Sequence, residues 1–115
     1  MRSAAATGIR CAAMERYVVE ARLKPGKAAD AERSLAVGPP FDPAASGLSA
    51  HAAYLTEDSV YLVFEGEAAR TTALQLARRH LVDVSRWQEI VTGLPVSVAD
   101  VPPDARRVFA WKAED

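Results

Sequence analysis

Residues 49–65 read SAHAAYL, then TEDS, then VYLVFE, and this stretch decides the fold. Each flank is a short run rich in apolar and aromatic residues, and the middle is polar and charged. That pattern predicts two strands, 49–55 and 60–65, folded back on each other at Glu57-Asp58. Glu-Asp is a weaker turn signal than Asn-Gly, so the flanks must carry the register. A two-residue loop pairs Leu55 with Val60, Tyr54 with Tyr61 and His51 with Phe64. Alternate strand residues point to opposite sides, so this pairing sorts the side chains onto two faces. A loop one residue longer would invert every assignment.

Toward the N-terminus, residues 15–23 read ERYVVEARL, with Tyr17, Val19, Ala21 and Leu23 alternating against Arg16, Val18, Glu20 and Arg22. This is a strand by strict alternation, stopped by Lys24-Pro25-Gly26-Lys27. A helix is predicted over 28–37, with Ala28, Ala31 and Leu35 on one stripe and Asp30 and Glu32 early, where acids suit a helix N-terminus. Gly38 suits its C-terminal end, and Pro39-Pro40 forbid continuation. The run GPPFDP, residues 38–43, is a stiff connection whose Phe41 needs a packing partner.

Toward the C-terminus, Leu74, Ala77 and Leu81 mark a helix over 68–81, with Ala73 beside the stripe. Val84, Trp87, Val91 and Leu94 continue at helical spacing, and Ser85 with Gln88 fits a capping box, so a break is expected near Asp83. Gly93 and Pro95 close this second helical stretch, 96–105 reads as loop, and 107–112 reads as the last strand.

The order strand, helix, strand, strand, helix, strand is the split βαβ, ferredoxin-like arrangement. It predicts an α+β domain over 14–115, with a four-stranded antiparallel sheet, helices on one face, and the first and third strands central. The opposite face carries Val18, Tyr61 and Val63, and a single-layer sheet needs cover there. Two such faces meeting would close a barrel, which predicts a homodimer.

The 115-residue length suits one domain. The net charge of −1, from 14 basic and 15 acidic residues, excludes a fold built on a basic excess for gripping nucleic acid. No apolar window is long enough for a transmembrane helix. The single cysteine, Cys11, has no intrachain partner, which makes a reducing, cytoplasmic setting the expectation. Residues 1–13 lack the continuous apolar core of a secretory signal and read as a disordered leader or an overlong start.

The run Arg22-Leu23-Lys24-Pro25-Gly26-Lys27 after an alternating strand resembles the opening of dimeric α+β barrel proteins. The likeness continues through the hairpin to VYLVFEG, residues 60–66, and covers about residues 15 to 112. Within that superfamily the chain is most similar to small bacterial proteins carrying a GPPFDP loop. The resemblance implies a barrel interior able to hold a small ligand. It names no chemistry, since the superfamily includes cofactor-independent monooxygenases, haem-degrading enzymes, sugar mutarotases and stress-associated proteins. The helical histidine of the haem-binding members does not carry over to His80, whose surroundings give no further match.

The register supplies the candidate site. Pairing Val18 with Val63 sets Arg16 opposite Glu65 and Glu20 opposite Tyr61, on the face away from the helices. Glu20, Arg22, Tyr54, Tyr61 and Glu65 then line the interior. A carboxylate beside an aromatic in a shielded pocket can accept a proton, and tyrosine hydroxyls can orient a ligand oxygen. His51 is kept as a candidate, although parity sends it to the helix face. Zinc-ligand spacing, phosphate loops and nucleophile elbows are absent from the sequence, and no metal or cofactor is expected. The expected function is binding or transforming a small organic ligand inside the barrel. The alternative is a non-catalytic module whose sheet face glues a dimer.

Overall fold

The computed structural model describes residues 14–113. The readings made for residues 1–13, Cys11 included, lie outside the described residues.

The first strand, β1 (Glu15–Leu23), is followed by helix α1 (Ala28–Val37). α1 buries Ala31 and Leu35, the predicted stripe, against the sheet. It stops at Gly38, whose φ of 102° lies where side-chain-bearing residues rarely go. In the proline-rich connection, Asp42 accepts a hydrogen bond from the Ala44 N–H and starts a 3₁₀ turn, Pro43–Ala45. Phe41 packs into a cluster with Leu48, Phe64, Ala69, Ala73 and Leu76.

β2 (Ala50–Leu55) and β3 (Ser59–Gly66) form the hairpin. The Thr56 N–H donates to the Ser59 carbonyl at 2.9 Å, which closes a two-residue loop at Glu57-Asp58. The pairs Leu55–Val60, Tyr54–Tyr61 and His51–Phe64 all form, as do Val18–Val63, Arg16–Glu65 and Glu20–Tyr61. The parity argument therefore holds through three strands.

The second half departs from expectation. Helix α2 (Ala69–Arg79) buries Ala69, Ala73 and Leu76, so its stripe lies to one side of the predicted Leu74, Ala77 and Leu81. Leu74 is 48% exposed and Leu81 62%. The break falls at His80 rather than near Asp83, and α3 (Leu81–Arg86) runs through Asp83 without a capping box. A 3₁₀ turn, Trp87–Glu89, ends the helical part. Val91–Val98, expected as helix end and loop, is strand β4. The predicted last strand is β5 (Arg106–Lys112).

The sheet is thus five-stranded and antiparallel, in the order β4-β1-β3-β2-β5. The expected count of four is corrected: the additional strand is β4, at the edge beside β1, and the predicted last strand, β5, lies at the other edge beside β2. β1 and β3 are interior, as expected, and so is β2. The helices cover the face carrying Tyr17, Val19, Ala21 and Leu23, with Trp87 and Trp111 packed against the two core clusters.

β4 and β5 lie at opposite edges and run parallel to each other, which follows from their antiparallel pairings with β1 and β2. Four strand spacings separate them, about 19 Å. The eight peptide steps from Val98 to Arg106 reach at most about 29 Å. Residues 99–105 make this connection with one turn in it, closed by the Ala105 N–H donating to the Pro102 carbonyl at 3.1 Å. Asp100 meets Arg16 on the face away from the helices, at 2.8 Å, and Pro102 and Asp104 line one cleft together with Glu20 and Tyr61. The segment is a strap over the open face. Under it, Val18, Val63 and Tyr61 are only 1%, 3% and 9% exposed. The apolar face that called for a second copy is in large part covered by the chain itself.

Candidate functional site

Strand register arranges the open face in rows. Arg16, Glu65, Ala50 and Lys112 form one row, Val18, Val63, Ala52 and Ala110 the next, and Glu20, Tyr61, Tyr54 and Arg107 the third. Arg22 and Ser59 pair beyond that third row. The strap crosses these rows diagonally, from Arg16 toward the start of β5.

At the Arg22 end, a cleft of about 840 Å³ opens among the sheet, the strap, the hairpin turn and the start of α1. Glu20, Arg22, Ser59, Tyr61, Pro102 and Asp104 are among its lining residues. Glu20 is its organised centre. The Ser59 hydroxyl donates to Glu20 Oε2 at 2.8 Å, and the Tyr61 hydroxyl donates to the same oxygen at 2.9 Å. Both donors are buried and both sit on β3 beside β1, so backbone pairing fixes the triad. Oε1 has no hydrogen bond among the described residues. Burial, and then the adjacent Glu20 carboxylate, push the Tyr61 phenol above its ordinary pKa. Tyr61 therefore stays protonated and serves as a donor.

Arg22 has no ion pair among the described residues, while Arg106 at the cleft's mouth is engaged by Glu32 at 2.9 Å. That pairing holds Glu32 below the ordinary carboxylate range through hydrogen bonding and charge attraction. The cleft is thus lined by a carboxylate held through Oε2 with Oε1 unengaged, and by one uncommitted guanidinium. It can accept a proton or hydrogen bond from a ligand at Glu20 and donate to a ligand oxygen from Arg22.

The six predicted site residues do not converge. Glu20, Arg22 and Tyr61 line the cleft. Tyr54 and Glu65 lie on the same face but beyond the strap, in a second groove. Glu65 is held by Arg16 at 2.7 Å, and Arg16 also binds Asp100, so one arginine ties the strap to β1 and β3. These contacts raise the Arg16 pKa and hold Asp100 low, hydrogen bonding being the larger cause in each case.

His51 does not line the Glu20 cleft, although it borders the second groove. It is 4% exposed on the helix side of β2, with ring centroids of Phe64, Phe41 and Phe109 at 4.7, 5.4 and 5.9 Å. Its Nδ1 lies 2.9 Å from the Val63 carbonyl and must donate to it, which places the neutral tautomer's proton there. Burial holds its pKa below the ordinary value. Hairpin parity decided this: pairing with Phe64 sends the His51 ring to the helix side, away from the Glu20 cleft.

Sequence reasoning missed Ser59, read as turn, and the strap residues Pro102 and Asp104, read as loop. Ser59 had a signal: it is the pairing partner of Arg22, two residues from Tyr61 on the same face. The strap had none, because its position depends on β4 and β5 lying at opposite edges.

Among the described residues, no group of three or more His, Cys, Asp or Glu side chains is placed to hold a metal ion. No described helix is long and apolar enough to cross a membrane. Comparison with protein families, with curated proteins and with solved structures gives no match to this chain.

Proposed function

We propose that the protein binds a small organic ligand in the cleft between the strap and the end of the sheet, with Glu20 and Arg22 as the polar contacts. The observation that supports this is the Glu20 triad. Two buried hydroxyls fix one carboxylate oxygen and leave the other unengaged on a residue that lines a cleft of ligand size. A carboxylate that served only to satisfy an interface would be expected to have both oxygens engaged. The ligand in this reading carries an N–H or O–H group for Glu20 and an oxygen for Arg22. Transformation of the ligand would begin with proton acceptance by Glu20.

The likeness to dimeric α+β barrels belongs to the same proposal. A second copy facing the first would close the cleft and cover Val96, which is 56% exposed. The alternative, a non-catalytic module whose sheet face forms the dimer interface, uses the same face, of which Val18 and Val63 are already buried within one chain.

A fragment library of small polar organic molecules, screened by NMR against the ¹⁵N-labelled full chain, tests the reading. Binders should shift the amides of Glu20, Arg22, Ser59 and Tyr61 and lose that effect in Glu20→Ala. A screen in which no fragment shifts these amides, or in which the shifts persist unchanged in the variant, would overturn it.

A further inference from the structure

The strap leaves a second concavity on the open face, and its chemistry differs from that of the cleft. It measures about 310 Å³ and lies over β2 and β5. Ala50, Ala52 and Ala110 form its floor in two adjacent rows, so the surface there is flat and apolar. Tyr54 and Arg107 face each other across the strands at one end, and Lys112 pairs with Ala50 at the other. Tyr54 and Lys112 are separated by four residues of strand along β2, about 13 Å.

The charges around this groove are unequal. Arg16, Arg107 and Lys112 line it against one carboxylate, Glu65. Arg16 and Glu65 already neutralise each other, with Asp100 on the second Arg16 nitrogen. Arg107 and Lys112 have no ionic partner among the described residues. The groove therefore offers two uncommitted cations and a phenol around a flat apolar base. A guanidinium beside a hydroxyl suits a carboxylate, which takes a forked donor on one side and an O–H on the other.

We propose that this groove is a second binding site, for a small carboxylate with a flat apolar body. The carboxylate sits between Arg107 and Tyr54, and the body lies on the three alanines. Lys112 adds long-range attraction and tolerates a second anionic group at the far end. The site is separate from the Glu20 cleft and does not depend on it.

Sodium benzoate is the probe, and benzamide, of nearly the same shape but uncharged, is the control. The ¹⁵N-labelled full chain is titrated with each. Benzoate should give saturable shifts at the amides of Ala50, Ala52, Tyr54, Ala110 and Lys112, and benzamide should give none. The Arg107→Gln/Lys112→Gln double variant should bind benzoate at least about tenfold more weakly, as expected for a lost charge-assisted contact. Both replaced side chains are exposed, and the variant's unliganded spectrum verifies that the β2–β5 pairing is intact. Equal shifts from benzamide, shifts that rise linearly without saturating, or undiminished binding by the double variant would each overturn the proposal.

Discussion

Glu20 shows how one register decision sets chemistry at the level of a residue. Opposite Tyr61 it receives two hydroxyls; one position along, it would face the helices. Tyr61→Phe removes one of these hydrogen bonds to a charged group while keeping the ring, and should destabilise the protein by about 1.5–3 kcal/mol in urea unfolding. An unchanged midpoint would mean that the triad does not form. His51 makes the complementary case. Its folded pKa lies below its ordinary value of 6.5 because it is buried. At pH below that value the unfolded chain binds more protons than the folded one, so stability increases with pH there and is lost as pH falls. Unfolding free energy should drop as pH is lowered from about 7 toward 5, near the ordinary histidine pKa, and His51→Phe should flatten that part of the profile. A wild-type profile level across this window would contradict the buried neutral ring.

Elements differ in how much of them the sequence discloses. β1, β2 and β3 were legible because their alternation and a two-residue turn leave a single register that buries one face. α1 was legible because Gly38 and two prolines bound it. β4 was not. Val84, Trp87, Val91 and Leu94 fit a helical spacing, yet the chain leaves helix before Val91, where β-branched residues at 91, 96 and 98 pair with β1. Gly93, at φ 70°, and Pro95 lie in the irregular part of that pairing, between the partners of Arg22 and Glu20. Read as helix terminators, they in fact mark a bulged edge strand. Bulge and proline on β4, and Arg106, Arg107 and Lys112 on β5, also protect both sheet edges from pairing with other chains. The strap is an element with little stability of its own. Arg16→Ala should leave global stability within about 1 kcal/mol, since its ion pairs are partly exposed. It should nonetheless accelerate proteolytic cleavage within residues 99–105 several-fold. Unchanged cleavage would show that Arg16 does not anchor the strap.

At the scale of the whole molecule, the α+β class, the helix-covered face and the central strands could be read from local patterns. Strand β4 and the place of β5 could not, because the position of β5 beside β2 depends on where β4 had already gone. That same long-range fact splits the candidate site: the strap separates Glu20, Arg22 and Tyr61 from Tyr54 and Glu65. It also buries Val63 within one chain. Val63→Asp should therefore unfold the protein outright, at a cost of several kcal/mol for an unpaired buried charge, and circular dichroism should show loss of the native spectrum rather than a folded monomer. A folded Val63→Asp protein would mean that the strap does not cover this face. The central claim is that the cleft beside Glu20 holds a small organic ligand. Native mass spectrometry of the purified full chain, beside Glu20→Ala, tests it most directly. The account predicts a dimer carrying a non-covalent mass of a small organic molecule that the variant lacks. Wild type and variant both appearing only at the mass of bare chains would contradict it.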